Sequence, residues 1–392
     1  MSNNPSINSF LATIDEVLKF LDSYKEDLFY LDINPDTPPQ GARHFKITTF
    51  PAEIAWRVIE ELHPLPTKPR LTPLAKEKID SVIQIPPLEC GMNIHPKNGQ
   101  GWPKIPVEFS RFKWVRFPYL SSPVHFPSVE ASFGFYDAVI EAYNRLGVKI
   151  ILVLGHEMYG EAAGWNWGAM DSGNWKAFTS QFVPVAEKVI KRYSNKIGAF
   201  EIWNEGDVGP NNPSAVAFPP ADYAVLLEKA TLLVRTHSPK SKVLIGGLVN
   251  SPHISAEYIK VVRNKLGGRL PVDAIGVHPY GQGSPTDKTV FSRFGSIDNY
   301  LNIISRAAPG VPLWLTEAGA LGTDDPNYWD DVALYMKNLY NHLKKITDKA
   351  PVIIWYAWSD AMDMAQKTNG LVKVDGTPKP FVYETYFNVA ST

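Results

Sequence analysis

From Leu88 onward the chain alternates short, almost uninterrupted apolar runs with longer amphipathic stretches, and that alternation leaves few folds open. The runs are LECGMNI, FKWVRFPY, VKIILVLGHE, IGAFEIWNE, KVLIGGLV, VDAIGVHPY, VPLWLTEAG and PVIIWYAW. A strand that is apolar at successive positions, rather than alternate ones, is buried on both faces, as parallel strands are. Between the runs, SFGFYDAVIEAYNRLG, WKAFTSQFVPVAEKVIKRYS, ADYAVLLEKATLLVRTH, SAEYIKVVRNKLGG and DDVALYMKNLYNHLKKI place apolar residues at helical spacing. The first crossover, HPKNGQGWPKIP, is rich in Gly and Pro and has no clear helix. Eight strands with intervening helices over residues 88–392 predict an α/β fold of the (β/α)8 TIM barrel type. A doubly wound open sheet is the alternative, but no Gly-rich phosphate fingerprint follows any strand, so its nucleotide-binding form has no support.

Residues 1–87 read differently, as a helical N-terminal extension or a small separate module. Phe10, Ile14, Val17, Leu18 and Leu21 recur at helical spacing behind a cap at Asn8 or Ser9. A second helix is expected over Ala52 to Leu62, behind Pro51, and a third over about Thr72 to Ile83. The stretches between them, NPDTPPQG and HPLPTKPRLTP, are polar and Pro-rich, and nothing in this segment carries recognisable chemistry.

Composition narrows the function classes. The formal net charge is −1, from 39 basic and 40 acidic residues mixed along the chain, so no basic face for nucleic acid is expected. No apolar run approaches the roughly 18 residues of a membrane span. The N-terminus has no basic start followed by an apolar stretch, which makes a cytoplasmic location the default; a mature secreted chain would look the same. Nothing in the chain signals its oligomeric state. The single cysteine, Cys90, rules out an intramolecular disulfide and thiolate-based zinc clusters, and it reads as a small buried residue. Eleven Trp and 17 Tyr serve equally well as a large aromatic core or as stacking platforms for ring-shaped ligands.

In a barrel of this type the active site lies at the C-terminal ends of the strands, so those ends are where chemistry is expected. The second run ends in Arg116, the third in His156 and Glu157, the fourth in Asn204 and Glu205. The sixth ends in His278 and Tyr280, the seventh in Glu317 and the eighth in Trp358. A charged group at the end of a buried strand costs several kcal/mol unless it is paired, and any one of them could be a structural ion pair. Five or more polar strand ends on one rim are hard to explain that way. Two carboxylates facing each other across a pocket suit glycoside hydrolysis, in which one protonates the leaving oxygen and the other attacks or activates water. Arg116 is placed to keep Glu317 ionised. Glu205, beside apolar Trp203, is the better candidate for the proton-bearing partner, although the reverse assignment is also open.

Together these residues resemble clan A of the glycoside hydrolases, the retaining (β/α)8 group. The Asn-Glu pair ending strand four is matched by Asn204-Glu205 in EIWNEGD, and the second Glu, ending strand seven, by Glu317 in LWLTEAG. With GVHPYG between them, the motifs look most like the family 39 and family 5 neighbourhood. The resemblance covers about residues 88–392 and does not extend to residues 1–87. It implies that Glu205 is the general acid/base and Glu317 the nucleophile, and that Asn204 binds the sugar 2-hydroxyl. It further implies that Arg116 and Tyr280 hold Glu317, that His156 and His278 line the pocket, and that Trp358 forms its floor. A carbohydrate substrate, with no cofactor and no metal, follows. The His156-Glu157 pair departs from the pattern and leaves Glu157 either a sugar ligand or a partner for Arg116. Trp165 and Trp167, in EMYGEAAGWNWGAMDSGNW, could be platforms for further sugar units or a small core within the loop. QGSPTDKTVFSRFG and DMAQKTNGLVKVDGTPKP would wall the remaining sides.

Rival readings fare worse. GHEMYG lacks the second His of a zinc protease helix, since position 160 is Gly. No Ser stands on a strand-to-helix elbow as a Ser hydrolase needs. A carbohydrate-binding barrel without activity would be expected to have lost one of the two Glu residues, and both are present. A transglycosylase would use the same residues.

Overall fold

The computed structural model describes residues 86–161, 163–210, 212, 215–281, 295–320, 326–362 and 369–390. The three helices expected within residues 1–87 lie outside the described residues, as do nearly all of the first wall loop, at 282–294, and the start of the second, at 363–368.

The eight apolar runs form eight parallel strands: β1 (Glu89–Asn93), β2 (Trp114–Pro118), β3 (Lys149–Leu154), β4 (Ala199–Ile202), β5 (Lys242–Leu248), β6 (Ala274–Val277), β7 (Leu313–Ala318) and β8 (Val352–Trp355). They pair in sequence order, and β1 pairs with β8, so the sheet closes into a barrel and the open-sheet alternative falls away.

Seven helices are present among the described residues: α1 (Val129–Arg145), α2 (Ser172–Arg192), α3 (Pro220–His237), α4 (Pro252–Lys265), α5 (Ile297–Ala307), α6 (Trp329–Leu343) and α7 (Val382–Ala390). None is long and apolar enough to cross a membrane. The first crossover holds only the short 3-10 turns Pro96–Asn98 and Val107–Arg111, in keeping with its Gly and Pro content. Helix α2 starts a turn earlier than its apolar spacing suggests. There Asp171 accepts from the backbone of Asn174 at 2.8 Å, and the Asn174 side chain accepts from the backbone of Asp171 at 3.1 Å. Helices α5 and α7 are not among the five segments singled out from sequence. In α5, Ile297, Tyr300, Leu301 and Ile304 are fully buried, a regular apolar face on a short helix.

The barrel interior has two layers. The lower is an apolar plug of Trp114, Ile151, Ala199, Leu244, Ala274, Trp314, Val352 and Ile354, with the two Trp rings 5.1 Å apart. Two residues further along the strands the same inward face turns polar, with Arg116 on β2, Glu201 on β4 and Thr316 on β7. The plug closes the barrel below, and the polar layer becomes the floor of whatever sits above it.

Candidate active site

The polar layer is organised around Arg116, at the centre of β2 and 3% exposed. Its Nε donates to Glu201 Oε2 at 2.6 Å. Its Nη1 donates to Asn93 Oδ1 at 3.0 Å and to Glu317 Oε1 at 2.6 Å, and Nη2 donates to Asn204 Oδ1 at 2.7 Å. One guanidinium therefore ties β1, β2, β4, β7 and the turn after β4 into one frame. Burial works against the charge of Arg116, but the attraction of Glu201 and Glu317 overrides it and raises its pKa further above the usual range. The expectation that Arg116 holds Glu317 agrees with this geometry. The alternative of Glu157 as its partner does not, since the partners of Arg116 are Glu201, Glu317, Asn93 and Asn204.

Glu317 is 6% exposed and also receives a short hydrogen bond, at Oε2, from the Tyr280 hydroxyl. Burial and the Glu317 charge both raise the Tyr280 pKa well above its ordinary value, so the phenol stays a donor. Where β7 pairs with β8 the register shifts between Leu315 and Ala318. That irregularity breaks the two-residue alternation, and the neighbours Thr316 and Glu317 both reach the polar cluster.

The chain leaves β4 through a strained turn. Trp203 (φ 74°) and Glu205 (φ 52°) are both in the left-handed region, which costs a non-glycine residue about 1 kcal/mol or more. Several bonds hold the turn in place. Trp203 Nε1 donates to Val216 O at 2.9 Å and Glu205 N to Gly247 O at 2.9 Å. The Asp207 carboxylate accepts from Val249 N at 3.0 Å, Asn250 N at 3.2 Å and the Ser255 hydroxyl at 2.6 Å. The result aims Glu205 into the barrel mouth, where its Oε1 lies 2.7 Å from His278 Nδ1. One oxygen from each of Glu205 and Glu317 and one nitrogen of His278 lie within 4.8 Å of one another.

His278 is fully buried, and burial lowers its pKa against the opposing pull of Glu317. It occupies space that only glycine leaves open: a Cβ on Gly247 would stand 1.8 Å from His278 Nε2. Glu205, His278 and Glu317 have the donor types of a metal site, but within the cluster Glu205 already pairs with His278, and Glu317 with Arg116 and Tyr280.

The β3 end sits to one side. His156 and Glu157 approach each other at 3.7 Å, and His156 Nδ1 and Glu157 Oε2 are buried without a hydrogen-bond partner. His95, after β1, also has an unpartnered buried Nδ1; burial lowers its pKa and the Glu157 charge opposes the shift. Trp165 and Trp167 are half-buried and both pack edge-on to Phe178, at 5.5 Å each, and Trp167 also lies 6.2 Å from His156. Both pack against the main core of the barrel, through Phe178 on α2, and Trp167 also lies 6.5 Å from Trp203.

Trp358 is buried at the β8 end, where its backbone N donates to Asn93 O at 3.1 Å. Its ring packs edge-on to Phe109 at 4.8 Å and lies 6.1 Å from Tyr383, and it helps line a cavity of about 310 Å³ with Gly99, Lys104 and Tyr383. Among the described residues no ring contact joins Trp358 to Tyr280. The aromatic residue of this strand end that does meet Tyr280, at 5.9 Å, is half-buried Tyr356.

Four residues of the cluster are absent from the sequence-derived set: Glu201, Thr316, Asn93 and Tyr356. Asn93 is a polar residue at the end of β1, and the rule used for the other strands would have found it. Glu201 had a signal too, a lone carboxylate two positions into an apolar strand.

No family model matches the chain, and no curated protein matches its sequence. Its fold is similar to that of solved glycoside hydrolases. A family 39 glycoside hydrolase from Bacteroides cellulosilyticus WH2 superposes with a TM-score of 0.56 at 19% identity, over 78% of this chain and 64% of that one. The chain thus spans less than two thirds of that enzyme's length. Xylanase B from Clostridium stercorarium F9 gives a TM-score of 0.56 at 15% identity, over 76% of this chain and 96% of the other. Native xylanase 10B from Thermotoga maritima gives 0.57 at 12% identity, over 79% and 97%.

Proposed function

We propose that the chain is a retaining β-glycoside hydrolase acting on an oligo- or polysaccharide. The observation that carries this reading is the facing pair Glu205 and Glu317, with an oxygen of each within 4.8 Å of the other's. Retaining pairs stand roughly 5–5.5 Å apart and inverting pairs roughly 6.5–9.5 Å, because inversion must fit a water between carboxylate and sugar.

The surroundings divide the labour. Glu317, held by Arg116 and Tyr280, attacks the anomeric carbon, while Glu205 gives its proton to the departing glycosidic oxygen as that C–O bond breaks. Water then attacks the anomeric carbon of the glycosyl-Glu317 ester, Glu205 takes the water proton, and the Glu317 carboxylate is released. Asn204, its carbonyl committed to Arg116, keeps its amide NH2 to donate to the sugar 2-hydroxyl. His156, Glu157 and His95 offer unpartnered polar atoms on the β1–β3 side, where sugar hydroxyls would find both donors and acceptors.

The test is a panel of 4-nitrophenyl β-glycosides and β-linked polysaccharides, with the anomer of the first-formed product read by NMR. Cleavage with retention is expected. First-formed α-product would overturn the double displacement, and binding without cleavage would leave a carbohydrate-binding barrel. Oligosaccharides longer than the substrate would point to transglycosylation.

A further inference from the structure

Beneath the two facing carboxylates runs a chain of hydrogen bonds whose directions can be worked out atom by atom. Glu201, fully buried, accepts at Oε2 from Arg116 Nε at 2.6 Å. At Oε1 it accepts from Gly247 N at 2.8 Å and from the Thr316 hydroxyl at 2.9 Å. With three donors aimed at its two oxygens, one of them from a guanidinium, Glu201 acts as an acceptor at both. The single hydroxyl proton of Thr316 is committed to Glu201, so Thr316 Oγ1 can only accept in its other contact, 3.2 Å from His278 Nε2. Nε2 therefore carries hydrogen.

The groups facing His278 come from several elements: Glu201 on β4, Glu205 and Asp207 just after it, Glu317 on β7, Arg116 on β2 and Tyr280 two residues downstream. Glu317, Glu201 and Asp207 pull towards the protonated ring and Arg116 opposes them, but complete burial is the largest influence and favours the neutral form. A neutral imidazole with hydrogen on Nε2 has a bare lone pair on Nδ1. That lone pair lies 2.7 Å from Glu205 Oε1, and a contact this short needs one proton between the atoms. Glu205 is the only one of the two that can supply it.

We propose that Glu201 and Thr316 are positioning residues that lock His278 in the Nε2–H tautomer, so that Glu205 stands protonated before substrate arrives. The catalytic meaning rests on the hydrolase reading given above; the tautomer itself does not. In the first step the Glu205 proton passes to the leaving oxygen, and the O–H electron pair stays on the carboxylate. The carboxylate then faces the bare Nδ1, an unfavourable pairing that is relieved when Glu205 takes a proton from the attacking water.

The test uses the full chain with 15N-labelled histidine, the His278 signals being identified by their loss in His278→Asn. Near pH 6.5 the wild-type ring should show a protonated Nε2 and a bare Nδ1. In Thr316→Val the acceptor for Nε2–H is gone, and the ring should move to Nδ1–H or to the doubly protonated form, with Thr316→Ser restoring the wild-type pattern. Kinetically, Thr316→Val should slow alkyl β-glycosides at least about tenfold more than 4-nitrophenyl β-glycosides, whose leaving groups need little acid assistance. A wild-type ring protonated at Nδ1, alone or together with Nε2, overturns the proposal, as does an unchanged tautomer in Thr316→Val. If no β-glycoside is cleaved but the Nε2–H tautomer is found, the hydrolase reading fails and the hydrogen-bond chain stands. If β-glycosides are cleaved and the tautomer is wrong, the reverse holds.

Discussion

Arg116 Nη1 lies 2.6 Å from Glu317 Oε1, and both side chains are almost completely enclosed. A buried pair of this kind is expensive to break from one side, because the remaining charge has neither water nor a partner. Arg116→Met leaves Glu201 and Glu317 together without a cation, and a destabilisation of about 3–5 kcal/mol is expected. Urea denaturation checks it; a loss under about 1 kcal/mol would mean that water reaches the cluster.

Glu317→Gln and Glu205→Gln should each abolish most hydrolysis, and full activity in either would remove the corresponding assignment. External azide separates the two roles. It should rescue Glu317→Gly with a product of inverted anomeric configuration, since azide would attack from the face Glu317 occupies. Rescue with retention would contradict Glu317 as nucleophile.

Gly247→Ala would put a methyl carbon 1.8 Å from His278 Nε2, in a barrel wall where neither can easily retreat. Overpacking of this sort costs about 1–3 kcal/mol. It should also displace His278 from Glu205, so activity should fall by more than the stability loss explains. Thermal melts alongside kcat/KM on the same preparation would show both, and an unperturbed enzyme would mean that the strand yields.

The lowered pKa of His278, caused by burial, has a definite sign in stability. The folded protein holds the ring neutral, while the unfolded chain binds a proton as pH drops through about 6.5. The unfolded state then carries more protons, so this contribution to stability is present above that pH and is lost as pH falls towards the folded-state value. Urea midpoints at pH 7 and pH 5 should differ less in His278→Gln than in the wild type.

Cys90 is buried in β1, and burial pushes its thiol up to about 12. It should therefore resist thiol reagents at pH 8 in the native protein and react at the ordinary rate in denaturant. Rapid labelling under native conditions would indicate that β1 opens locally.

How far these features were legible from sequence varied with the kind of signal. The barrel could be read because both faces of each strand are buried, which leaves a run such as VKIILVLGHE with almost no polar interruption. Glu205, Glu317, His278 and Tyr280 could be read because strand ends share one rim, whereas Arg116, expected at a strand end, lies at the centre of β2 and reaches the site from the layer below. Glu201 escaped because a single carboxylate inside an apolar strand looks the same whether it faces a neighbouring helix or the barrel axis. Trp358 and Tyr356 posed a related ambiguity. Along β8 Ile354 faces the interior and Trp355 the outer core, but spacing could not say which of Tyr356 and Trp358 would meet Tyr280 once the strand ended. Helix α5 was missed because it is short and its face becomes clear only beside the sheet it covers.

The bond between Glu201 and Arg116 has a consequence for the double displacement proposed above. When a sugar is esterified to Glu317, that side chain loses its negative charge, and a guanidinium with no second counter-ion would be left alone in a dry interior. Glu201 is fully buried and bonded directly to Arg116, so Arg116 would keep a second carboxylate partner. At the same time Glu205 gains the charge that Glu317 gives up. Under the proposed double displacement the two facing carboxylates would together carry the same charge in the free protein and in the intermediate.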